Sequence, residues 1–352
     1  MSLMLDEIRQ EPAVLEAALR AEIATFRELC TRFEKERPRF VVLAARGTSD
    51  NAAQFGRYLI EIATGIPVSL AAPSVFTLYG AELDFREVLY VGVSQSGESP
   101  DVNACIRRAR ELGAMTVGIT NSVTSTLART AERVVQLHAG SENSVAATKT
   151  WVAQLMDMYL LAWSLGAELT LEQIRRIPEW TAAALKQEAE IAGRAERYVF
   201  AEKALVLGRG FNYSNALEFA LKLMETCYMV AESFSSADFL HGPMALADRG
   251  IPAFAFAPPG PTWAGVRDTL ARLETAGSAP LVITDARNQE ATARRQVIIL
   301  PAPNGHEPAL PPDLLTPIPY AVPAQLMAAH IAEQKGLNPD LPRMLAKVTR
   351  TS

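Results

Sequence analysis

The segment FVVLAARG at residues 40–47 is an apolar run that ends in Arg-Gly and is followed by a helical stretch. The segment ALVLGRG at residues 204–210 has the same form and is followed by another helical stretch. Two later strand-to-loop junctions repeat at nearly the same offset, which is 163 residues for Gly97 and Gly260 and 164 residues for Thr120 and Thr284. Matches at one offset indicate an internal duplication, so we predict two copies of one unit.

Each copy alternates short apolar runs with amphipathic stretches, a pattern typical of βαβ units and a parallel sheet. We therefore predict an α/β protein with two tandem subdomains, each a doubly wound parallel sheet flanked by helices. The first copy has predicted strands at residues 40–45, 68–72, 88–93 and 115–119, and predicted helices at residues 51–62 and 100–112.

Five segments follow from this pattern. We predict a leading helical segment at residues 1–36, a first subdomain at 37–165, a helical linker at 166–197, a second subdomain at 198–335, and a C-terminal tail at 336–352 that belongs to the active site. The proline-rich stretch at residues 301–319 is predicted to be a loop.

The composition excludes several classes of function. A net charge of −5 leaves no basic excess to neutralise phosphates, so we expect no nucleic-acid partner. No apolar run reaches the roughly 18 residues of a membrane span, and the acidic start does not resemble a signal peptide. Three scattered cysteines and four histidines without metal-ligand spacing predict no disulfide framework and no metal. We expect a cytoplasmic protein without a cofactor.

The segment SQSGESP at residues 94–100 lies where a predicted strand meets a predicted helix, the edge at which parallel sheets bind ligands. Ser99 suits the N-cap and Pro100 the first helical position. Hydroxyls, an amide and backbone N–H groups there suit a phosphate monoester. In isolation a serine-rich capped turn is an equal explanation. Because Thr48 and Ser49 end the first strand of the same copy, the phosphate site is favoured.

Glu218, Lys222 and Glu225 share one face of a predicted helix. Such triplets are usually a solvent-exposed stripe of salt bridges. Here the other positions are almost wholly apolar, which predicts a buried helix whose charges face a polar site. A carboxylate in that setting can act as a general base.

Two further candidates cannot be assigned from spacing alone. His241 lies in a Gly-Pro turn and is accessible there, although lone histidines are more often structural. Lys347 near the chain end would ordinarily be a surface lysine. Cys227 and His330 lie on apolar stretches and are assigned to packing.

Taken together, these segments resemble the isomerase domain of glutamine–fructose-6-phosphate amidotransferase and its stand-alone relatives in the sugar isomerase (SIS) family. The similarity runs from residue 4 to residue 349. Its marks are the segments at residues 47–49, 94–99, 144–149, 207–210, 216–218, 221–225 and 240–243. No single one of these motifs is specific, but the set is.

The resemblance implies a role for each matching residue. Glu225 would move a proton between the first two sugar carbons, His241 would open the sugar ring, Lys347 would form an imine with the ketose carbonyl, and Lys222 would lie beside Glu225. The phosphate would be held by Ser49, Ser94, Gln95, Ser96 and Ser99, and the sugar would be lined by Thr48, Val145 and Ala346. In this family the histidine comes from the neighbouring subunit, which implies a homodimer.

Two departures narrow the expected reaction. The chain begins where the isomerase domain begins, so we expect it to lack a glutaminase domain. Arg46 stands where the synthase has cysteine, and residues 45–51 look more like the stand-alone glucosamine-6-phosphate deaminases, although Arg46 could simply anchor the loop. We expect an isomerising deaminase that converts glucosamine 6-phosphate to fructose 6-phosphate and ammonia. The alternatives are ammonia-dependent synthesis, deamination of another amino-sugar or fructosyl-amine 6-phosphate, and a non-catalytic sugar-phosphate sensor.

Overall fold

The computed structural model of the chain describes residues 2–302 and 311–347. They form two compact units, each built from more than one segment of the chain. Among the described residues, the first unit contains 13–142, 149–175 and 345–347, and the second contains 2–12, 143–148, 176–302 and 311–344.

Within residues 2–302 and 311–347, ten strands form two five-stranded sheets. Those of the first unit are β1 (Phe40–Ala44), β2 (Val68–Leu70), β3 (Val88–Val93), β4 (Met115–Thr120) and β5 (Arg133–Gln136). Those of the second unit are β6 (Lys203–Gly208), β7 (Val230–Ser235), β8 (Ala253–Phe256), β9 (Leu281–Asp285) and β10 (Val297–Leu300).

Helices connect the strands. They are α1 (Leu3–Arg9), α2 (Glu11–Lys35), α3 (Thr48–Thr64), α4 (Ser74–Thr77), α5 (Pro100–Glu111), α6 (Thr126–Thr130), α7 (Lys149–Ser164), α8 (Leu171–Ile174), α9 (Ile177–Leu185), α10 (Glu188–Ala195), α11 (Tyr213–Cys227), α12 (Ser236–Phe239), α13 (Trp263–Thr275), α14 (Gln289–Thr292) and α15 (Pro317–Gln334). Short 3-10 turns lie at Glu196–Tyr198, Gly210–Asn212 and Pro243–Leu246.

The two sheets have the same topology, which confirms the predicted duplication and the α/β fold. The strand order is β2-β1-β3-β4-β5 in the first and β10-β9-β8-β6-β7 in the second, with every pairing parallel. The registers correspond, since Leu43 pairs with Val91 and Leu207 with Ala255. In each sheet the order reverses at the first strand, and that switch point is where open α/β sheets bind ligands.

The starts of two helices differ from the predicted ones. Helix α3 begins at Thr48 rather than at residue 51, so Thr48 and Ser49 lie in its first turn. Helix α15 begins at Pro317 inside the predicted loop, because proline fits the first helical turn, where its missing N–H is not needed. Residues 303–310 of that predicted loop and residues 348–352 of the predicted tail lie outside the described residues.

Helices α7 and α15 have no polar face and are buried along nearly their whole length within their units. Strand β3 is likewise buried at every position, as expected for a parallel strand covered on both sides. In the described part of the chain, no helix combines the length and apolarity required to cross a membrane.

Helix α7 carries one ionisable residue that its apolar surroundings do not accommodate. Asp157 is fully buried, and no described residue hydrogen-bonds either of its carboxylate oxygens. Burial, with a smaller contribution from the negative charge of Glu22, raises the pKa of Asp157 well above its usual range. Glu22 itself bonds the Nε2 atom of His138 at 2.7 Å.

We expect Asp157→Asn to stabilise the protein, by an amount that grows with pH. An acid whose pKa is raised by folding contributes a penalty that is absent below its unfolded pKa near 3.8 and increases as the pH rises towards its folded pKa. Asparagine has a similar shape and does not titrate. Thermal unfolding of the wild type and of Asp157→Asn at a series of pH values above 3.8 measures the difference in stability. A difference that does not change with pH would contradict the raised pKa of Asp157.

Candidate active site

The loop at residues 94–99 connects β3 to α5 and is held by its own side chains. The hydroxyl of Ser94 accepts a hydrogen bond from the N–H of Gly97 at 3.1 Å, and the hydroxyl of Ser96 accepts one from the N–H of Glu98 at 3.2 Å. Gly97 has a φ of +67°, and a Cβ atom there would lie 2.1 Å from the Oγ atom of Ser125. The loop therefore requires glycine at this position.

Neighbouring segments fix the rest of this loop. The carbonyl oxygen of Gln95 accepts hydrogen bonds from the backbone N–H of Asn121 at 3.0 Å and from the hydroxyl of Thr120 at 3.3 Å. Ser99 is the N-cap of α5, as predicted, but its side chain makes no capping hydrogen bond. As the N-cap residue, Ser99 lies at the positive end of the dipole of α5, where an anion would be stabilised.

The second predicted group of hydroxyls lies in the first turn of α3, which follows the neighbouring strand β1. Ser49 is buried in the first turn of α3, and its hydroxyl accepts a hydrogen bond from the Nε2 atom of Gln154 at 2.9 Å. Arg46 bonds the carboxylate of Asp101 in the first turn of α5 at 2.7 Å. Because β1 and β3 are paired, their carboxyl ends are adjacent, and Arg46 joins the segments that follow them.

Lys347 is not a free surface lysine. Its ammonium group lies 2.7 Å from the Oε2 atom of Glu142, whose side chain is fully buried. The same carboxylate accepts hydrogen bonds from the backbone N–H and the hydroxyl of Thr150, at 3.0 and 2.7 Å. The C-terminal segment of the first unit is thus fixed at the start of α7 by a carboxylate that sequence analysis did not select.

Glu142 also lines a cavity of about 450 Å³ in the first unit. The other lining residues are Gln95, Asn121, Gln136, Gly140 and Ser141. Gln95 belongs to the predicted phosphate loop, and Glu142 bonds the predicted imine-forming lysine. The lining is therefore almost all polar and includes one residue of the predicted phosphate loop and the residue that bonds the predicted imine-forming lysine.

We expect Glu142→Gln to lower kcat/KM by about 10- to 100-fold, because the charge-assisted bond that positions Lys347 would be lost. The affinity for the predicted sugar-phosphate ligand should change little. Steady-state kinetics and calorimetric binding separate the two effects. Glu132→Gln, which neutralises a carboxylate bound to Arg32 elsewhere in the unit, is the control. Unchanged kinetics of Glu142→Gln would contradict the positioning role.

The predicted acid–base residues lie on α11 in the second unit. Lys222 is fully buried, and its ammonium group lies 3.3 Å from a carboxylate oxygen of the equally buried Glu218. It also donates a very short hydrogen bond to Glu225, whose side chain is 22% exposed. Burial opposes the charge on Lys222, but the two carboxylates outweigh it and hold its pKa above its usual value. The triplet is therefore a buried ion cluster with one accessible carboxylate.

The remaining predicted residues are placed as follows. His241 is exposed between α12 and the 3-10 turn at Pro243–Leu246, and its backbone N–H donates to the carbonyl oxygen of Asp238 at 2.9 Å. Val145 is half-buried in the second unit, and its N–H donates to the carbonyl oxygen of Asp340 at 3.0 Å. Ala346 is exposed in the first unit. Sequence analysis missed Glu142 and Gln154, although both flank the motif at residues 144–149.

Comparisons with known proteins agree with this architecture. A sequence model of the SIS domain matches residues 36–164 and 199–332. Over 98% of its length the chain is 34% identical to a glutamine–fructose-6-phosphate aminotransferase (isomerizing) from Methanothermobacter thermautotrophicus, and 36% identical to one from Gloeobacter violaceus. The chain covers 56% and 58% of these proteins, so it spans little more than half the length of these curated relatives.

Solved structures show the same fold. The C-terminal domain of a glucosamine-fructose-6-phosphate aminotransferase from Francisella tularensis superposes with a TM-score of 0.85 at 28% identity, covering 97% of this chain and 98% of that one. A glucosamine-6-phosphate deaminase from Thermotoga maritima superposes with a TM-score of 0.80 at 20% identity, covering 99% and 100%. At that identity the second likeness concerns the fold alone.

Proposed function

The chain belongs to the SIS-domain family, and we propose that it is a phosphosugar isomerase that deaminates an amino-hexose 6-phosphate, with glucosamine 6-phosphate as the leading substrate. The observation that carries this proposal is the partly exposed Glu225 carboxylate on α11, held by the fully buried Lys222. A carboxylate in that position is suited to proton transfer, and a pure binding protein has no need of it.

The proposed reaction uses the residues one by one. His241 assists opening of the sugar ring. Glu225 removes a proton from C2 of the open-chain aldehyde and delivers one to C1, while a proton passes from the amino group to the C1 oxygen, which leaves an imine at C2. Lys347 passes a proton from its ammonium group to the imine nitrogen, and its amine then attacks C2. Ammonia leaves as the lysine imine forms, and water hydrolyses that imine to the ketose. The sum is amino-aldose phosphate plus water giving ketose phosphate plus ammonia.

The proposed phosphate ligands are Ser49, Ser94, Gln95, Ser96 and Ser99. The architecture around them supports this role, because the loop at residues 94–99 and the first turn of α3 follow the adjacent strands β3 and β1. We further propose that Thr48, Val145 and Ala346 contact the sugar, and that the protein is a homodimer in which His241 serves the partner's site.

Ammonia and ketose 6-phosphate released from a panel of amino-sugar 6-phosphates test the proposal. The panel contains glucosamine 6-phosphate, its galacto epimer and a fructosyl-amine 6-phosphate. Glucosamine 6-phosphate should give both products in equal amounts. If only another member of the panel were turned over, the proposed substrate would change but the proposed class of reaction would stand. Binding of a hexose phosphate without release of ammonia from any of them would favour a sensor and contradict the deaminase.

A further inference from the structure

Helix α7 carries a buried amide that its surroundings do not explain. Gln154 is 1% exposed, and most of the buried residues around it on α7 are apolar. Its Nε2 atom donates to the hydroxyl of Ser49, and no described residue donates to its Oε1 atom. A buried carbonyl oxygen without a donor is unfavourable for folding, so its presence calls for a compensating role.

The packing of α3 against α7 makes this contact possible. A Cβ atom at Gly56 would lie 2.6 Å from the Sδ atom of Met158, so glycine permits the close approach of the two helices. Phe55 and Tyr159 pack edge to face beside it, with ring centroids 5.0 Å apart. The position of Gln154 relative to Ser49 is thus set by two closely packed helices rather than by a loop.

The direction of this hydrogen bond decides what the serine can do. A hydroxyl has one proton to donate. Because Ser49 accepts from an N–H group of Gln154, its own proton remains available for another acceptor. Ser49 lies in the first turn of α3, next to the carboxyl end of β1, where helix N–H groups favour an anion.

We propose that Gln154 is a positioning residue that holds the Ser49 hydroxyl as a hydrogen-bond donor to the phosphate of the ligand. The inference rests on the proposed function, since it takes a phosphorylated sugar as the ligand. Gln154 does not touch the sugar and acts only through Ser49. Its contribution is therefore to phosphate affinity and not to the proton-transfer step.

Two substitutions at Gln154 separate the direction of the bond from the volume of the side chain. Gln154→Met keeps the length of the side chain and removes the donor, so Ser49 can turn its proton elsewhere. Gln154→Glu keeps the shape but replaces the donor by an acceptor, which takes the proton of Ser49. We expect Gln154→Met to bind fructose 6-phosphate about 10-fold more weakly than the wild type, and Gln154→Glu to lose more affinity than that.

A double-mutant cycle with Ser49→Ala tests whether Gln154 acts through the serine. Calorimetric titration with fructose 6-phosphate should show that Ser49→Ala/Gln154→Met binds no more weakly than Ser49→Ala alone. KM should rise in the single variants Ser49→Ala and Gln154→Met, while kcat changes little in either. Asp157→Asn, another buried polar substitution on α7, is the matched control and should bind with wild-type affinity.

Each contrary outcome identifies a different failure. Wild-type affinity of Gln154→Met, or losses that multiply in the double variant, would overturn the positioning role while Ser49 stays a ligand. If Ser49→Ala bound fructose 6-phosphate with wild-type affinity, neither Ser49 nor Gln154 would contribute to phosphate binding. No binding of any hexose 6-phosphate by the wild type would instead refute the proposed function. Thermal unfolding of every variant confirms that the folded protein is being compared.

Discussion

The Glu225→Gln variant is expected to lose turnover by about 10²- to 10⁴-fold, the usual contribution of a positioned general base. Glutamine has nearly the shape of glutamate and cannot accept a proton at neutral pH. Lys222 would still be paired with Glu218 at 3.3 Å, so the fold of α11 should survive. The measurement is kcat for release of ammonia from glucosamine 6-phosphate.

Binding should separate this variant from an unfolded one. The affinity for fructose 6-phosphate should stay within a few-fold of wild type, because Glu225 is not among the proposed phosphate ligands. Glu202→Gln neutralises an exposed carboxylate of the second unit and should leave kcat unchanged. Turnover near the wild-type rate in Glu225→Gln would remove this residue from the chemistry.

The Lys222→Met variant is expected to be the most destabilised single substitution. Lys222 has no exposed surface, and its removal takes away the ammonium group that lies 3.3 Å from the carboxylate of Glu218, which is 1% exposed. Breaking one partner of a buried ion pair costs about 3–5 kcal/mol. Chemical or thermal unfolding measures the loss, with the exposed Lys186→Met as the control.

The pH dependence provides a second test of the same cluster. Because the pKa of Lys222 lies above its usual value of 10.5 in the folded protein, the stabilisation of the folded state by this lysine is fully present at neutral pH and declines only above pH 10.5.

The additional substitution Glu218→Gln in the Lys222→Met background should recover part of the lost free energy of unfolding. A loss of less than about 1 kcal/mol in Lys222→Met would show that Glu218 and Lys222 are exposed to solvent, and would contradict their burial in the structure.

The fold could be predicted because its determinants are local and repeated. The apolar runs at residues 40–45 and 204–208 decide strand positions through burial alone, and the common offset reveals the duplication. The helix face of Glu218, Lys222 and Glu225 follows from periodicity, which the structure confirms. The start of α15 was missed because proline signals both a loop and a first helical turn.

The supporting residues could not be predicted in the same way. Glu142 bonds Lys347 across 205 residues of sequence, and Gln154 bonds Ser49 across 105. No periodicity or motif connects positions so far apart, and a buried glutamine on an apolar helix looks like an imperfection of the core. Their partners become visible only when the helices and the tail are packed.

Hydrogen exchange tests whether this chain moves a proton between the first two carbons of a hexose 6-phosphate. Fructose 6-phosphate is incubated with the wild-type protein in D₂O, and the C1 protons are followed by NMR. We predict deuterium at C1 at a rate that falls by about 10²-fold or more in Glu225→Gln. Binding of fructose 6-phosphate without any exchange at C1 would contradict the claim and leave a sugar-phosphate sensor.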